Sequence, residues 1–297
     1  MVMTVFNFVR RAWNQNIAAG DLERALNQLG VNQHRDLIAH SSLSAFGFIQ
    51  GGVPTVIDVL QRNAWTLVMP AFTYYTLVWP AHKKSGDWPA FPPADGPTWR
   101  PDSPVSHDIG RIPQQFLELY QAVRSCHPAL SFAALGQNTN QILASQTLER
   151  PYAPIGVLYA LDADIVLLGV DHRSNTTIHY GEYLAGRPML ERHAYFRGAL
   201  AQTFFPNCSA AFNAIQGHLT SLEVVGVGKT QVQRMSVRDV VDTTVKMLAR
   251  DPEAMLCSYN GCRCQHVRDK IRNLGVRSTQ DSLLEQGHAL SGLHRPS

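Results

Sequence analysis

The chain has 297 residues, 45% of them hydrophobic and 16% charged, which suits one large α/β domain or two smaller ones around a sizeable core. Its formal net charge of +3, without a Lys/Arg stripe that alternates with aromatic residues, argues against nucleic-acid binding. No apolar run reaches the length of a membrane span, and the five unevenly spaced cysteines fit a reducing compartment, so we expect a cytoplasmic protein without membrane contacts.

The first sixty residues predict a helix, a strand and a glycine-rich loop. We expect helical structure up to Gly30, with Asp21 as the cap, and then a strand over 36–40. Residues 41–52 (SSLSAFGFIQGG) form a small-residue loop that leads into a helix near Pro54. Because glycine permits a close approach, such a loop can expose backbone N–H groups to an anionic ligand. A tight structural turn is the alternative, since the spacing matches no standard phosphate-binding motif.

A long segment without periodic pattern follows a short strand over 66–69. Residues 71–107 are rich in proline, glycine and aromatic side chains. A loop of this length in a compact protein is usually functional or disordered, and its aromatic content argues against disorder. We interpret it as a wall or lid of a substrate pocket, with a packed surface excursion as the alternative.

The rest of the chain predicts alternating helices and strands. We expect an α/β fold with a central mixed sheet flanked by helices and an α+β C-terminal portion. One domain would cover residues 1–275, followed by a polar tail over 276–297. The predicted elements are helices over 108–122, 138–145, 154–161, 204–217 and 237–248 and strands over 130–134, 165–170 and 223–227.

The strongest candidate for chemistry directly follows the strand over 165–170. If Thr176 or Thr177 caps the next helix, His179 lies in its first turn and Glu182 lies three residues later on the same face. A neutral imidazole can take a proton near pH 7, and a carboxylate at this spacing can orient the ring. The spacing therefore predicts a general base and its partner. A surface histidine beside a solvated carboxylate is the alternative.

The segment 226–230 (GVGKT) ends like a phosphate-binding P-loop. That motif needs glycine where this chain has Glu223, and no apolar-periodic helix follows the segment. We therefore reject a nucleotide-hydrolase function.

Cys257, Cys262, Cys264 and His266 are four potential zinc ligands within ten residues. Their gaps of four, one and one residues differ from the two-residue gaps of common structural zinc sites. The C-x-C-x-H run also brings alternate side chains together only in an extended segment. We predict no metal site here, and a non-catalytic, zinc-stabilised ligand-binding protein is the alternative function.

Several segments, taken in order, resemble the aminoglycoside 3-N-acetyltransferase family, the antibiotic N-acetyltransferases. They span roughly positions 36 to 257, with a fainter match over 228–257. The resemblance implies direct transfer of an acetyl group from acetyl-CoA to an amine of a small molecule, without a covalent enzyme intermediate. The matching segments are 40–52 (HSSLSAFGFIQGG), 67–73 (LVMPAFT), 108–122, 124–136 (RSCHPALSFAALG), 152–169 and 176–182 (TTIHYGE).

The resemblance also implies roles for individual residues. His179 corresponds to the catalytic histidine of the family and Glu182 to the carboxylate beside it. Ser42 and Ser131 are candidate donors to the thioester oxygen as it gains charge, with ordinary turn and strand serines as the alternative. The residues expected to hold the pantetheine arm and diphosphate of CoA are Ser41, Ser42, Leu43, Gly51, Gly52 and Ser131.

Charge does not favour an aminoglycoside as the amine acceptor. Aminoglycosides are polycations, so a pocket for them should be acidic, yet the sequence pI is about 8.6. The predicted lid contains equal numbers of basic and acidic residues, which are Lys83, Lys84, Arg100, Asp87, Asp95 and Asp102. Another small amine, such as a biosynthetic intermediate, stays open as the acceptor, and a homodimer stays open as the assembly.

Overall fold

A computed structural model describes residues 16–78, 98–206 and 208–274. In these ranges, no helix combines the length and the apolar character needed to cross a membrane. The helices are α1 (Ala19–Gln28), α2 (Leu43–Phe46), α3 (Gly52–Arg62), α4 (Arg111–Leu119), α5 (Thr139–Ala144), α6 (Ala153–Ala160), α7 (Thr177–Leu184), α8 (Val237–Arg250) and α9 (Cys264–Leu274). The strands are β1 (Leu37–Ser41), β2 (Thr66–Pro70), β3 (Leu77–Val78), β4 (Val123–Arg124), β5 (Phe132–Gly136), β6 (Asp164–Leu168), β7 (Leu190–Phe196), β8 (Ala199–Phe205), β9 (Glu223–Val227) and β10 (Thr230–Ser236).

Seven strands form a central sheet in the order β4-β5-β2-β1-β6-β10-β9. Strand β1 pairs in parallel with β2 and with β6, whereas β5 and β10 run antiparallel to their neighbours. The predicted central mixed sheet is therefore confirmed. The strands of the C-terminal portion, β9 and β10, extend this same sheet as an antiparallel hairpin.

Helices cover both faces of the sheet because its inner strands carry apolar side chains on both sides. Along β6, Ile165 and Leu167 belong to the core that includes side chains of α6, α7 and α8. Val166 and Leu168 belong to the opposite core, with side chains of α1, α3 and α4. The continuous apolar run in β6 is what a strand covered on both faces requires.

The first helix begins earlier than its predicted cap. Helix α1 starts at Ala19, with Ala18 at the N-cap position, so Asp21 as the cap residue is wrong. The Asp21 carboxylate instead reaches back and accepts the Ala18 backbone N–H at 2.8 Å. Asp21 still satisfies a free N–H group of the first turn, from inside the helix.

The helix predicted over 204–217 is also wrong. The segment begins in β8, which forms a hairpin with β7, and the helical part of its described residues is a 3₁₀ turn over Phe212–His218. Arg197 and Gly198 both have positive φ in the tight turn between the strands. This is the backbone that joins antiparallel strands without splaying them. Strand pairing, which local periodicity does not reveal, decided the structure of this segment.

The predicted lid over 71–107 is described at its two ends. At the first end, β3 joins β7 and β8 in a small three-stranded sheet. At the second end, the buried Trp99 forms a bridge to Phe196 of β7. Both ends therefore anchor on the same small sheet. The lid residues 79–97, the residues 1–15 of the predicted first helix and the predicted tail over 276–297 lie outside the described residues.

The segment 226–230 joins β9 to β10. Val227 pairs with Thr230, so Gly228 and Lys229 form the two-residue turn of a hairpin. A P-loop instead connects a strand to the start of a helix. The rejection of a nucleotide-hydrolase motif is confirmed.

The carboxyl ends of the three parallel strands meet at one edge of the sheet. Ser41 ends β1, Pro70 ends β2 and Leu168 ends β6. Open α/β sheets place ligand sites at this edge. We therefore expect a ligand site in the segments that follow these three residues.

Candidate active site

His179 and Glu182 lie one turn apart on α7 and are joined by a hydrogen bond. His179 Nδ1 is 2.6 Å from Glu182 Oε2, and the two side chains are 13% and 2% exposed. A carboxylate that accepts the Nδ1 proton fixes the tautomer of the ring and leaves the lone pair on Nε2. The structure brings the two predicted residues together, and the alternative of a solvated carboxylate does not hold because Glu182 is buried.

The start of α7 places His179 close to the end of β6. Thr176 occupies the N-cap position, but the side-chain oxygen that accepts the Thr177 backbone N–H belongs to Asn175, at 3.2 Å. Gly181 packs against Thr244 of α8, where an added Cβ would lie 2.5 Å from the Thr244 Cβ. The absence of a side chain at this position lets α7 approach α8 closely, which fixes the direction of the helix.

Arg187 is a second partner of Glu182 that sequence reasoning missed. Its Nη1 lies 2.5 Å from Glu182 Oε1, and its side chain is 2% exposed. Its Nη2 donates to the carbonyl oxygens of Pro252 and Ala254. The two carboxylate oxygens of Glu182 are thus divided between an imidazole and a guanidinium. The only signal in the sequence was a basic residue just after the helix end at Gly186.

Two aromatic side chains hold the His179 ring. Tyr152 stacks on it with ring centroids 5.5 Å apart, and Phe212 meets it edge-on at 4.8 Å. Burial raises the pKa of Tyr152 well above its ordinary value, so its hydroxyl stays protonated near neutral pH. These two ring contacts, together with the bond from Nδ1 to Glu182, restrict the orientation of the imidazole.

A cavity of about 1170 Å³ opens at the carboxyl ends of the parallel strands. His179 lines it, and so do Ser41, Ser42 and Leu43 at the end of β1. The predicted base and three of the predicted cofactor-binding residues therefore share one cavity. Its volume exceeds the range of about 300–1,000 Å³ that is typical of small-ligand pockets, and a cofactor plus a second substrate needs such room.

Gly51, Gly52 and Ser131 do not line this cavity. Ser131 is fully buried, and its hydroxyl donates to the Ala71 carbonyl oxygen at 2.7 Å, so it has no proton left for a thioester oxygen. Gly51 has φ of +76° at the start of α3, where an added Cβ would lie 2.3 Å from Thr55 Oγ1. The role of these three residues in holding CoA stays a prediction.

His40, the residue before the serine pair, lines the same cavity. Its side chain is 7% exposed, and Nε2 has no hydrogen-bond partner among the described residues. Burial lowers the pKa of His40 to about 3, so its ring stays neutral at neutral pH. Sequence reasoning placed His40 in a strand and missed this role in the cavity wall.

The loop after β1 lies tightly over the end of β6. Gly169 has φ of +67°, and an added Cβ would lie 2.7 Å from Ala45 Cβ and 3.2 Å from the Ser42 carbonyl oxygen. A side chain at position 169 would therefore push this loop away from the sheet. The close approach positions Ser42, whose backbone N–H donates to Leu168 at 2.9 Å.

A second cavity of about 700 Å³ adjoins the first and shares Ser42 and Arg173 with it. Lys229, from the turn between β9 and β10, contributes a second cationic side chain to its lining. The Lys229 ammonium also lies close to the loop after β1, 3.9 Å from the Cβ position of Gly47. The second cavity is also lined by Asp171, whose carboxylate pairs with the Arg173 guanidinium at 2.8 Å.

Comparison with known proteins identifies relatives of this chain. A family model described as aminoglycoside 3-N-acetyltransferase matches residues 38–249. Aminoglycoside N(3)-acetyltransferase IV of Salmonella sp is 31% identical over 242 residues, which cover 76% of this chain and 85% of that relative. A crystal structure of an aminoglycoside acetyltransferase AAC(3)-IVa mutant in complex with a gentamicin has a TM-score of 0.71 at 27% identity, covering 87% of this chain and 99% of that chain. The binary structure of AAC-IIIb with CoASH shares the fold, with a TM-score of 0.67 at 20% identity over 80% of this chain and 97% of that chain.

Proposed function

The chain belongs to the aminoglycoside 3-N-acetyltransferase family of acetyl-CoA-dependent N-acetyltransferases, and we propose that His179 is its general base. One observation carries this proposal: the His179 ring lines the large cavity while its Nδ1 lies 2.6 Å from the buried Glu182 carboxylate. This is the arrangement that activates a nucleophile, with a base held in turn by an orienting carboxylate. The alternative function was a non-catalytic, zinc-stabilised ligand-binding protein. It is not supported, because the chain belongs to an enzyme family.

The proposed reaction is a direct acyl transfer. The acceptor nitrogen attacks the thioester carbonyl carbon of acetyl-CoA and loses a proton to His179 Nε2 as the new C–N bond forms. The C–S bond then breaks, and the leaving sulfur takes the proton from the His179 imidazolium, so that CoA leaves as a thiol and the neutral base is restored. Glu182 stabilises the imidazolium that forms during attack. Proton abstraction by a positioned base typically contributes about 100- to 10,000-fold to the rate.

Acetyl-CoA is proposed to lie across both cavities. Its reactive thioester would lie near His179, in the part of the large cavity bounded by Ser41, Ser42 and Leu43. Its phosphates would lie toward Lys229 and toward Arg173, whose guanidinium also pairs with Asp171 in the adjoining cavity. The orphaned Nε2 of His40 is a further candidate donor to the cofactor or the acceptor.

The acceptor is proposed to be an amino group of a small molecule. The name of the Salmonella relative and the gentamicin complex of AAC(3)-IVa support an aminoglycoside. The described cavity walls carry the carboxylates Asp108 and Glu118 beside the cations Arg111 and Arg173, so they form no strongly acidic surface. This charge balance supports another small amine as the second candidate. A homodimer is a separate proposal, for which light scattering on the purified chain is the measurement.

A thiol-release assay tests the function directly. Purified protein is mixed with acetyl-CoA and a panel of amines that includes gentamicin, other aminoglycosides and smaller primary amines, and each product is identified by mass spectrometry. Turnover with aminoglycosides supports the first acceptor class, and turnover confined to other amines supports the second. Absence of amine-dependent CoA release across the panel, from protein shown to bind acetyl-CoA, would count against the proposed acyl transfer.

A further inference from the structure

Four cysteine side chains converge at one point outside the cavity. The sulfur atoms of Cys208, Cys257, Cys262 and Cys264 all lie within 4.8 Å of one another. From this geometry we propose that the four thiols bind one structural zinc ion, a role that the N-acetyltransferase activity does not require.

The sulfur separations fit a tetrahedral zinc site. Zinc–thiolate bonds of about 2.3 Å place the four sulfurs of a tetrahedron about 3.8 Å apart. Cys208 Sγ and Cys257 Sγ are 3.7 Å apart. A disulfide would instead need a separation of about 2.05 Å. The cluster thus has the dimensions of a ligand shell around one ion.

The fourth ligand differs from the one considered in the sequence. Cys208 takes the place of His266, although it lies 49 residues before Cys257 in the chain. His266 is exposed, because α9 begins at Cys264 and a helix turns residues two positions apart to different sides. Cys208, which follows β8, supplies the fourth sulfur. The unusual gaps among the last three cysteines therefore no longer argue against a zinc site.

The surroundings of the sulfurs resemble those of a structural site. Cys257 and Cys264 are 5% and 1% exposed, and Cys208 and Cys262 are half-buried. The Ala210 backbone N–H donates to Cys208 Sγ at 3.4 Å, a contact that stabilises a metal-bound thiolate. Four protein sulfurs complete a tetrahedral shell, as in structural zinc sites, whereas catalytic zinc keeps one position open.

The site would join two segments that support the His179–Glu182 pair, a consequence that rests on the proposed function. Cys208 precedes Phe212, whose ring packs against His179. The segment that carries Cys257 begins with the Pro252 and Ala254 carbonyls that accept from Arg187. Residues 251–263 consist of turns and irregular backbone, so a metal crosslink would supply rigidity that regular hydrogen bonding does not.

Metal analysis of the full-length protein tests the site without reference to activity. The chain is purified without chelator, and its zinc content is measured by inductively coupled plasma mass spectrometry. We expect one zinc per chain, which falls to background in Cys208→Ser and Cys257→Ser. The matched controls Cys126→Ser, at an exposed cysteine outside the cluster, and His266→Ala should keep one zinc per chain.

A second measurement covers variants that fail to fold. Wild-type protein is stripped of metal with a thiol reagent, reduced again and titrated with Co²⁺, and we expect the intense visible absorption of tetrahedral cobalt thiolate to saturate at one equivalent. Protein without zinc both as purified and after reconstitution would overturn the proposal. Disulfides among these cysteines, iron in place of zinc, or zinc loss in His266→Ala with retention in Cys208→Ser would also overturn it. Zinc at one per chain in a wild type without any acetyltransferase activity would refute only the proposed function.

Discussion

Arg187 Nη1 lies 2.5 Å from Glu182 Oε1, and both side chains are 2% exposed. The carboxylate that contacts His179 is therefore held from its other side by a buried cation. An ion pair removed from water is costly unless its charges find further partners. The second carboxylate oxygen contacts His179, and Arg187 Nη2 donates to the Pro252 and Ala254 carbonyls, whereas Arg187 Nε has no partner among the described residues. The network extends from the His179 ring to the C-terminal part of the chain.

The first prediction concerns the proposed base. His179→Ala should lower kcat by at least about 100-fold, because the acceptor ammonium then loses its proton only to solvent. The affinity for acetyl-CoA should change little, as measured by calorimetry. His218→Ala, at an exposed histidine on the 3₁₀ turn, is the matched control and should turn over normally. Unchanged turnover of His179→Ala would remove this residue from the mechanism.

Glu182→Gln tests the orienting carboxylate without a large change in shape. The amide can still contact the ring, but it cannot stabilise the imidazolium as a carboxylate does. We expect kcat to fall by about 10- to 100-fold with little change in KM, in keeping with loss of a charge-assisted hydrogen bond worth about 1.5–3 kcal/mol. Steady-state kinetics for both substrates would reveal the opposite result, a change confined to KM.

Arg187→Met tests the buried ion pair. It leaves the Glu182 carboxylate buried without its cation, which typically costs about 3–5 kcal/mol of folding stability. Urea unfolding followed by fluorescence measures this loss. The double variant Arg187→Met with Glu182→Gln should recover part of it, because no uncompensated charge then remains in the core. Absence of any recovery would mean that Arg187 acts through its contacts with the 252–254 carbonyls alone.

Lys229→Met and Arg173→Met test the proposed phosphate end of the acetyl-CoA site. Each should raise the KM for acetyl-CoA by about 10-fold, since a hydrogen bond to a charged group is worth about 1.5–3 kcal/mol. The KM for the amine should stay near its wild-type value. Lys246→Met, at an exposed position on α8, is the charge-matched control. An equal effect of the control would attribute the change to net charge rather than to contact with the cofactor.

The buried His127 predicts a loss of stability in acid. Its Nδ1 accepts the backbone N–H groups of Ala129 and Leu130, and burial lowers its pKa to about 3. The His127 side chain is protonated below about pH 6.5 in the unfolded chain but only below about pH 3 in the folded chain. Its contribution to folding stability is therefore fully present above pH 6.5 and is lost as pH falls toward 3. The loss between pH 7.5 and 5 should be about 2 kcal/mol for this residue.

Urea unfolding of His127→Asn at several pH values measures that contribution. The asparagine oxygen can replace Nδ1 as the acceptor, so the fold is kept while the titrating group is removed. The stability of the variant should fall less steeply with acid than that of the wild type, whereas His34→Asn, at an exposed histidine, should keep the wild-type slope. Equal slopes for all three proteins would show that His127 does not titrate between these pH values.

The sequence by itself determined the parts of this protein that depend on local spacing. The continuous apolar run of β6 predicted a strand covered on both faces, and the three-residue spacing of His179 and Glu182 predicted that they share a helix face. Both predictions succeed because helix and strand periodicities fix the relative directions of near neighbours. The ordered motifs over most of the chain also predicted the family, which the comparisons confirm.

Only the tertiary structure decided the contacts between distant segments. The pairing of β10 with β6 and β9 brings Lys229 beside the loop after β1, and the end of β8 brings Cys208 to the three later cysteines. Strand pairing also overrode the helix predicted over 204–217. These contacts depend on which strands pair and how closely loops pack, energies that are shared across the whole core and leave no spacing pattern in any one segment.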